Sequence, residues 1–229
     1  MSFLPDWAEP VLRYMLEVGL RGTLQIAAIS LAGSLLIGVT LGTLLTIRFL
    51  PSRAVIRFYI EVWRGLPILV TLFLVFFVLP VINPRLEFDA LISASIALTL
   101  WGSAQVAEAT RGAVQSIPKE QHEAASALGF GWVGRHAFVI LPQALRRLLP
   151  PLVSLLVNII QNSTIAQVIG APELLESAER SVERLAAPVP IGIGEVKAVP
   201  IYATVMVIFF LISFPLTRFA AYLERRLVA

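Results

Sequence analysis

Five long apolar stretches dominate the chain and restrict it to folds that can cross a lipid bilayer. They run from about 16 to 47, 58 to 82, 90 to 110, 148 to 170 and 200 to 222. A helix needs about 20 apolar residues to cross a hydrocarbon core about 30 Å thick, so each stretch is long enough for one crossing. The sequence therefore predicts an all-α membrane protein with five transmembrane helices, and one membrane domain over residues 1–229.

Composition agrees with this class and excludes several kinds of site. Hydrophobic residues make up 57% of the chain, mean hydropathy is +0.82, and 14% of residues are charged, against about 25% in soluble domains. There is no cysteine, which excludes disulfides, thiolate metal sites and a cysteine nucleophile. The first residues contain Asp6 and Glu9 in place of the positive charge of a secretory signal, so we expect the first apolar stretch to remain in the mature chain.

The Lys and Arg residues predict the orientation. With five crossings the termini face opposite sides, and twelve of the 18 Lys and Arg residues, Arg48 among them, flank one set of span ends. The other side holds ten of the 15 carboxylates, Glu195 among them. Because positive charge is retained inside, we predict a cytoplasmic C-terminus and an N-terminus outside. The basic residues lie in short loops without interleaved aromatic residues, so we predict no nucleic-acid partner.

The stretch EAASALGFGWVGRHAFVILP, residues 123 to 142, interrupts the apolar pattern between the third and fourth spans. The residues after Pro118 are helix formers, and Gly129 and Gly131 are predicted to end that helix. A second helix is expected to follow until Pro142.

Prolines are also predicted to shape the entry into the fourth span. Pro142 and the pair Pro150 and Pro151 are expected to reset the chain direction before the span begins. Large apolar side chains give the preceding segment a surface without a core of its own, which indicates a docking partner. The alternative is an amphipathic loop lying on lipid headgroups, although headgroup binding would favour Lys and Arg over the sequence EQHEAA.

The spacing within this stretch resembles a known motif. Glu123, Ala124 and Ala125 are followed by three residues and Gly129, and after nine more residues by VILP, ending at Pro142. This resembles the EAA loop of bacterial ABC importer permeases. The segments VWRGLPILV at 62–70, AEATRGAVQSIPKEQHEAASALGF at 107–130 and LPQALRRLLPPL at 141–152 resemble the polar amino acid uptake family more narrowly, and the likeness extends from about Gly22 to Arg226.

The resemblance implies a fold, a mechanism and a set of partners. The fold is the type I ABC importer permease fold, and the segment of about 115–142 is the cytoplasmic coupling segment, seated in a groove of an ATPase subunit. The ATPase-coupling residues it implies are Glu123, Ala124, Ala125, Leu128, Gly129 and Pro142. The implied partners are two ATPase subunits, a second permease of the same or a homologous kind, an extracytoplasmic amino-acid-binding protein and the lipid bilayer of the bacterial plasma (inner) membrane.

The implied role is transport of a polar amino acid, without catalysis by this chain. The sequence contains no P-loop of the form GxxxxGK[ST], so ATP and magnesium are expected on the partner ATPase, and this chain is expected to bind no cofactor. His122 has no second histidine at the spacing of an HExxH zinc site, so we predict no metal site. A membrane-embedded hydrolase would need a nucleophile and base pair that the sequence does not offer.

Polar residues past the middle of the fourth span predict part of a solute path. They are Asn158, Gln161, Asn162, Ser163 and Thr164. Four consecutive polar side chains point around the whole helix, so they must line a cavity or end the helix. The alternative is hydrogen bonding between spans. Many relatives have Lys and Asp where this chain has Gln161 and Asn162, and amides cannot neutralise a zwitterion.

Other path candidates come from the second and third spans. The resemblance places the RGxP residues Arg64, Gly65 and Pro67 beside the substrate path, and Ser103 and Gln105 are further candidates in the third span. Glu61 with Arg64, and Glu108 with Arg111, stand at a spacing of three, so each pair is expected to neutralise itself on a helix face.

Two questions stay open at this point. Residues of about 172–185 are predicted to form an extracytoplasmic surface helix with an apolar stripe and a face of Glu and Arg, serving either as a rim for a binding protein or as an interfacial helix. The rival class is a self-contained ion-coupled carrier or channel. Such a carrier would need buried ionisable residues, and between 148 and 170 the sequence offers only amides and hydroxyls.

Overall fold

The computed structural model describes residues 5–46, 50–186 and 197–227, and the regular structure within these ranges is entirely helical. Eight helices longer than one turn follow one another in the described ranges: α1 Ala8–Leu44, α2 Leu50–Gly65, α3 Ile68–Ile82, α4 Ala90–Gln115, α5 Lys119–Ala127, α6 Trp132–Ile169, α7 Leu174–Ala186 and α8 Ala198–Leu227. A single 3₁₀ turn, Pro84–Leu86, lies between α3 and α4. Residue 47, Arg48 and Glu195 lie outside the described residues. The orientation of the termini stays a prediction.

The all-helical membrane class is confirmed, and the number of spans depends on one bent pair. Among the described residues, four helices, α1, α4, α6 and α8, are long and apolar enough to cross a membrane. A fifth span exists if α2 and α3 form one crossing, but their axes are bent by 105°. The apolar stretch predicted over about 58–82 is therefore present as two helices, and the predicted fifth crossing depends on whether they form one span. Pro67 has no backbone N–H and disfavours helical geometry at Leu66, so the chain bends there.

The prolines of α6 behave differently from Pro67. Pro142, Pro150 and Pro151 lie inside a helix that continues from Trp132 to Ile169, so the predicted change of direction before the fourth span is wrong. A wider π-type turn at His136–Ile140 directly precedes Pro142. Such local turns accommodate a missing N–H, and an apolar medium penalises a full break because freed backbone groups would have no water to bind.

The Cα positions group the chain into two compact units, each made of three separate segments. Unit 1 contains Met1–Ser30, Ile68–Leu98 and Asn158–Pro215, and unit 2 contains Leu31–Pro67, Thr99–Val157 and Leu216–Ala229. The single membrane domain stays a prediction.

Unit 1 is held by an apolar core of residues from α1, α7 and α8. Its fully or nearly buried members are Met15, Leu174, Ala178, Ile201 and Val205. The backbones approach closely beside this core, since a Cβ placed on Gly22 would stand 1.7 Å from the carbonyl oxygen of Pro172. Thr23 Oγ1 accepts a hydrogen bond of 3.1 Å from the backbone N–H of Leu174. The start of α7 is therefore fixed against α1.

Unit 2 packs α1 against α2 and α4. The buried residues of its core are Leu45, Ile56, Ile60, Ala104 and Ala107. A Cβ on Gly42 would lie 2.4 Å from the carbonyl oxygen of Ala107, so α1 and α4 touch backbone to backbone. Small residues permit such close helix packing in membranes, where there is no hydrophobic force between helices.

Candidate functional site

The predicted coupling segment contains a short helix that ends in a defined turn. Pro118 precedes α5, and Gly129 follows it with a φ of +82°. The backbone N–H of Phe130 donates to Ala125 O at 3.1 Å, and that of Gly129 donates to Ser126 O at 3.0 Å. This is a Schellman ending, in which a left-handed residue, usually glycine, lets the last carbonyls find donors. The predicted helix and its stop at Gly129 are confirmed.

Side-chain contacts tie α5 to the start of α6. Arg135 Nη1 donates to Ser126 Oγ at 2.7 Å, and Gln143 Nε2 donates to Gln121 Oε1 at 3.3 Å. His136 stacks on Trp132 with ring centroids 4.2 Å apart. These contacts hold α5 at a fixed position on α6.

The two histidines of this region belong to unit 2. His136 Nε2 lies 3.1 Å from Thr46 Oγ1, and His122 lies 6.2 Å from His136, ring centroid to ring centroid. Burial lowers the pKa of His122, and the charges of Arg135 and His136 lower it further. His122 is therefore favoured in its neutral form.

The predicted coupling residues divide into exposed and buried positions. Ala125 is 2% exposed and anchors α5, whereas Leu128 is 78% exposed. Val133 and Phe138 are exposed to a similar degree. The remaining predicted coupling residues, Glu123, Ala124, Gly129 and Pro142, are also exposed. We call Leu128, Val133 and Phe138 the apolar face of the coupling segment.

A charged cavity of about 300 Å³ lies in unit 2. It is lined by Leu45, Arg57, Ile60, Glu61, Arg64, Glu108 and Arg111. The predicted pair on α4 is present, since Arg111 Nε donates to Glu108 Oε2 at 3.1 Å and a second contact joins Arg111 Nη2 to Glu108 Oε1. The predicted pair of Glu61 with Arg64 is absent from the ion pairs of the described residues. Those two residues face the cavity instead.

Arg57 is the functional candidate that sequence reasoning missed. It stands four residues before Glu61 and seven before Arg64, a spacing that places all three on one face of α2. That periodicity was available in the sequence, but it points to a cavity only once the helix that faces α2 is known.

The other path candidates of unit 2 lie at the bend and in α4. Arg64, Gly65 and Pro67 are exposed around the bend between α2 and α3. Ser103 is fully buried, and its Oγ lies 2.7 Å from the hydroxyl of Tyr59. Gln105 is half-buried.

The polar stretch of the fourth span belongs to unit 1 and changes the helix type. The regular α-helix ends at Asn162 and continues as a 3₁₀ helix over Ser163–Ile169, which matches the expectation that these residues end the helix. Asn162 Nδ2 donates to Asn158 O at 2.7 Å and Thr164 Oγ1 donates to Gln161 O at 2.8 Å. The side chains of Asn162 and Thr164 therefore bind backbone carbonyl groups of their own helix.

One small cavity borders this stretch. Asn162 borders a cavity of about 10 Å³, together with apolar residues of α3 and α4 such as Leu72 and Leu98. That volume holds about one water molecule. Gln161 Nε2 donates weakly to Ser213 Oγ at 3.5 Å, which is the kind of contact between spans that the sequence left open. The solute-path role of these residues stays a prediction.

The start of α7 buries carboxylates that the sequence placed on an outward polar face. Glu173 is 0% exposed and Glu176 is 4% exposed. Glu173 Oε1 accepts from the backbone N–H of Glu176 at 2.7 Å, so it caps the helix, while Glu176 pairs with Arg180. Burial raises the pKa of Glu173 to about 7, against its hydrogen bonds to the backbone N–H groups of Leu175 and Glu176.

This raised pKa predicts a pH-dependent stability. The folded state favours protonated Glu173. Burial of this residue therefore destabilises the protein least below pH 4.5, which is the ordinary pKa of a glutamate. As the pH rises from there toward 7, the free energy of unfolding falls by about 3 kcal/mol. Glu173→Gln keeps an oxygen that accepts from Glu176 N–H but cannot ionise. We expect the fall in melting temperature of the detergent-purified protein between pH 5 and pH 8 to shrink in this variant. Glu183→Gln, at an exposed position of α7, should leave that fall unchanged.

If the melting temperature of Glu173→Gln falls between pH 5 and pH 8 as much as that of the wild type, the result would contradict burial of an ionisable carboxyl at this position.

The chain matches the model of a known protein family. Residues 21–229 match the family described as "Binding-protein-dependent transport system inner membrane component". The chain belongs to this family. It is 34% identical over 224 residues to the glutamine transport system permease protein GlnP of Escherichia coli (strain K12), covering 97% of each chain. It is 32% identical to the probable glutamine ABC transporter permease protein GlnM of Bacillus subtilis (strain 168), covering 91% of each.

Solved structures agree with the fold. The crystal structure of an amino acid ABC transporter with histidines has a TM-score of 0.79 and 26% identity, covering 98% of this chain and 100% of that one. An inward-facing structure of the MetNI methionine ABC transporter has a TM-score of 0.72 over 94% of this chain and 99% of that one. At 20% identity the second likeness supports the fold alone.

Membership settles the class of the protein. The chain is an inner-membrane permease subunit of an ABC importer and works with a binding protein and an ATPase. It is a transport subunit and not an enzyme, since ATP hydrolysis belongs to the partner. A self-contained carrier and a hydrolase, the other classes considered from the sequence, are not the class to which the family match assigns it.

Proposed function

We propose that this chain moves a polar amino acid inward across the bacterial plasma membrane, in a complex with a second permease subunit, two ATPase subunits and an extracytoplasmic amino-acid-binding protein. The second permease is another copy or a homologue. ATP and magnesium act on the ATPase subunits. Relatives described as glutamine permeases, and an arginine transport system permease protein at 33% identity, support a polar amino acid as the substrate.

The observation that carries the coupling role is the exposed apolar face of Leu128, Val133 and Phe138, which lie in the turn after α5 and at the start of α6. Exposed apolar side chains next to small residues such as Ala124 favour a protein groove, because lipid headgroups would select basic residues. The proposal places Glu123, Ala124, Ala125, Leu128, Gly129 and Pro142 at the ATPase. It also places this surface in the cytoplasm, with the C-terminus.

The transmission of movement follows from the connection between α5 and α6. ATP binding closes the ATPase pair and shifts α5, and the Arg135 to Ser126 hydrogen bond carries that shift to the start of α6. Because α6 continues without a break to Ile169, displacement at Trp132 acts on the polar stretch at its far end. Access to the solute path then alternates between the two membrane faces.

The residues proposed to line the path are the candidates predicted from the sequence. In unit 2 these are Arg64, Gly65 and Pro67 at the bend, with Ser103 and Gln105 on α4. In unit 1 they are Asn158, Gln161, Asn162, Ser163 and Thr164 on α6. Gln161 and Asn162 offer hydrogen bonds without charge, so the charges that neutralise a bound amino acid must come from other residues.

Uptake into proteoliposomes tests the proposed function. The chain is reconstituted with its ATPase and binding protein, and entry of radiolabelled L-glutamine, L-arginine and L-histidine is followed with and without ATP. We expect uptake of at least one of them only when ATP, the ATPase and the binding protein are all present. Uptake driven by an ion gradient in liposomes without the ATPase would contradict the proposal.

A further inference from the structure

The charged cavity of unit 2 is lined by charged side chains, and only some of them pair with one another. Glu108 is engaged by Arg111 through both carboxylate oxygens, and Arg111 also donates through Nη1 to Gln115 Oε1 at 2.6 Å. Glu108 and Arg111 therefore neutralise each other. Arg57, Glu61 and Arg64 face the same cavity, and none of them takes part in an ion pair of the described residues.

The three remaining groups present two positive charges and one negative charge on one face of α2. The guanidinium groups of Arg57 and Arg64 lie near enough to Glu108 to be attracted by it, but that carboxylate already has two hydrogen bonds from Arg111. Arg57, Glu61 and Arg64 are all exposed, so their charged groups are accessible to a ligand that enters the cavity. Their charges therefore match a ligand that carries one negative and one positive group.

A free amino acid has this pattern of charge. Its α-carboxylate can accept bidentate hydrogen bonds from a guanidinium, and its α-ammonium group can pair with a carboxylate. A volume of about 300 Å³ lies at the lower end of small-molecule sites, which suits a ligand of this size. A phosphate would meet the guanidinium groups equally well, but Glu61 would repel it.

We propose that Arg57, Glu61 and Arg64 form a binding site for the zwitterionic backbone of an amino acid, with the carboxylate at the two arginines and the ammonium at Glu61. The Glu108–Arg111 pair forms the opposite wall of the cavity. The site recognises the α-carboxylate and α-ammonium groups that all amino acids share, and it does not discriminate between their side chains. It rests on the proposed amino acid import for its ligand class.

Direct binding to the permease–ATPase complex, purified in detergent without the binding protein, tests this site. Binding of radiolabelled L-glutamine, L-arginine and L-histidine is measured by scintillation proximity. We expect Glu61→Gln to raise the dissociation constant at least tenfold for whichever of the three binds. Arg53→Gln removes one charge from the same helix at a position that does not line the cavity, and it should leave binding unchanged.

Two further measurements separate charge recognition from misfolding. Glu61→Asp keeps the carboxylate and should recover most of the affinity. Glutaramate, which is glutamine without its α-ammonium group, should bind the wild-type complex as weakly as glutamine binds the Glu61→Gln variant. Inorganic phosphate should not compete with glutamine.

The outcomes distinguish this site from the transport function. Equal amino acid binding by wild type and Glu61→Gln, strong competition by phosphate, or no binding of any of the three amino acids would overturn the site. Uptake that depends on ATP would still establish import in each of these cases. Loss of binding in Glu61→Gln with recovery in Glu61→Asp supports the site.

Discussion

Gly129→Asp abolishes ATP-driven uptake while the protein still inserts into the membrane and the ATPase still hydrolyses ATP. Gly129 has a φ of +82°, a conformation that costs other residues about 1 to 2 kcal/mol. A carboxylate there also lies beside the exposed carbonyl end of α5, where negative charge is unfavourable. We therefore expect the Schellman turn to open and the apolar face at Leu128 to leave its docking position. Uptake and ATPase activity, measured in the same proteoliposomes, check this result.

Gly131→Asp provides the matched control for this substitution. Gly131 lies two residues further on with an ordinary φ of −65°, and a Cβ there meets no neighbour within 4 Å. The same charge at nearly the same place should therefore leave uptake largely intact. Normal uptake by a well-expressed Gly129→Asp protein would contradict the coupling role of this turn.

Gly42→Ala lowers the stability of the protein, although alanine is the better helix former. An added Cβ would stand 2.4 Å from the carbonyl oxygen of Ala107 and 2.6 Å from Cβ of Thr110. Backbone cannot yield as a flexible side chain does, so α1 must move away from α4. Overpacking of this kind costs about 1 to 3 kcal/mol. Thermal unfolding of the detergent-purified protein should show a lower melting temperature.

Gly112→Ala separates packing from helix propensity. Gly112 lies in α4, and a Cβ there has no neighbour within 4 Å. The same change should stabilise the protein slightly, because alanine favours a helix over glycine by about 1 kcal/mol. Equal shifts in the two variants, or a rise in melting temperature for Gly42→Ala, would show that α1 and α4 do not touch at Gly42.

Local features of the coupling segment were predictable from the sequence. Helix formers after Pro118 and a glycine after Leu128 determine a helix and its end through interactions within ten residues, and the structure has both. The apolar spans were predictable for a similar reason, because length and hydropathy alone decide whether a helix suits a bilayer.

The effect of each proline depended on its neighbours. Pro67 bends the chain by 105°, whereas Pro142 lies in a continuous helix behind a π-type turn. Both are prolines in apolar sequence, and their propensities are the same. The difference lies in how the preceding turn satisfies its carbonyl groups, which a pattern of residue types does not encode.

The charged groups also required tertiary information. A spacing of three predicted that Glu61 pairs with Arg64 as Glu108 pairs with Arg111, but only the second pair forms. The charged side chains of α2 face the cavity between α2 and α4 instead. The residue pattern of one helix does not show that this cavity exists. Glu173 was likewise placed on an outward face, because its burial depends on the approach of α1 at Gly22.

Site-directed crosslinking from Leu128 tests the central claim most directly. The chain contains no cysteine, so Leu128→Cys gives one labelling site for a photoreactive maleimide at a 78% exposed position. Glu87→Cys, at an exposed position on the predicted outer side, is the control. The account predicts that illumination of the assembled importer joins the label at residue 128 to the ATPase subunit and the label at residue 87 to no ATPase. A label at residue 128 that reacts only with lipid or with its own chain would contradict it.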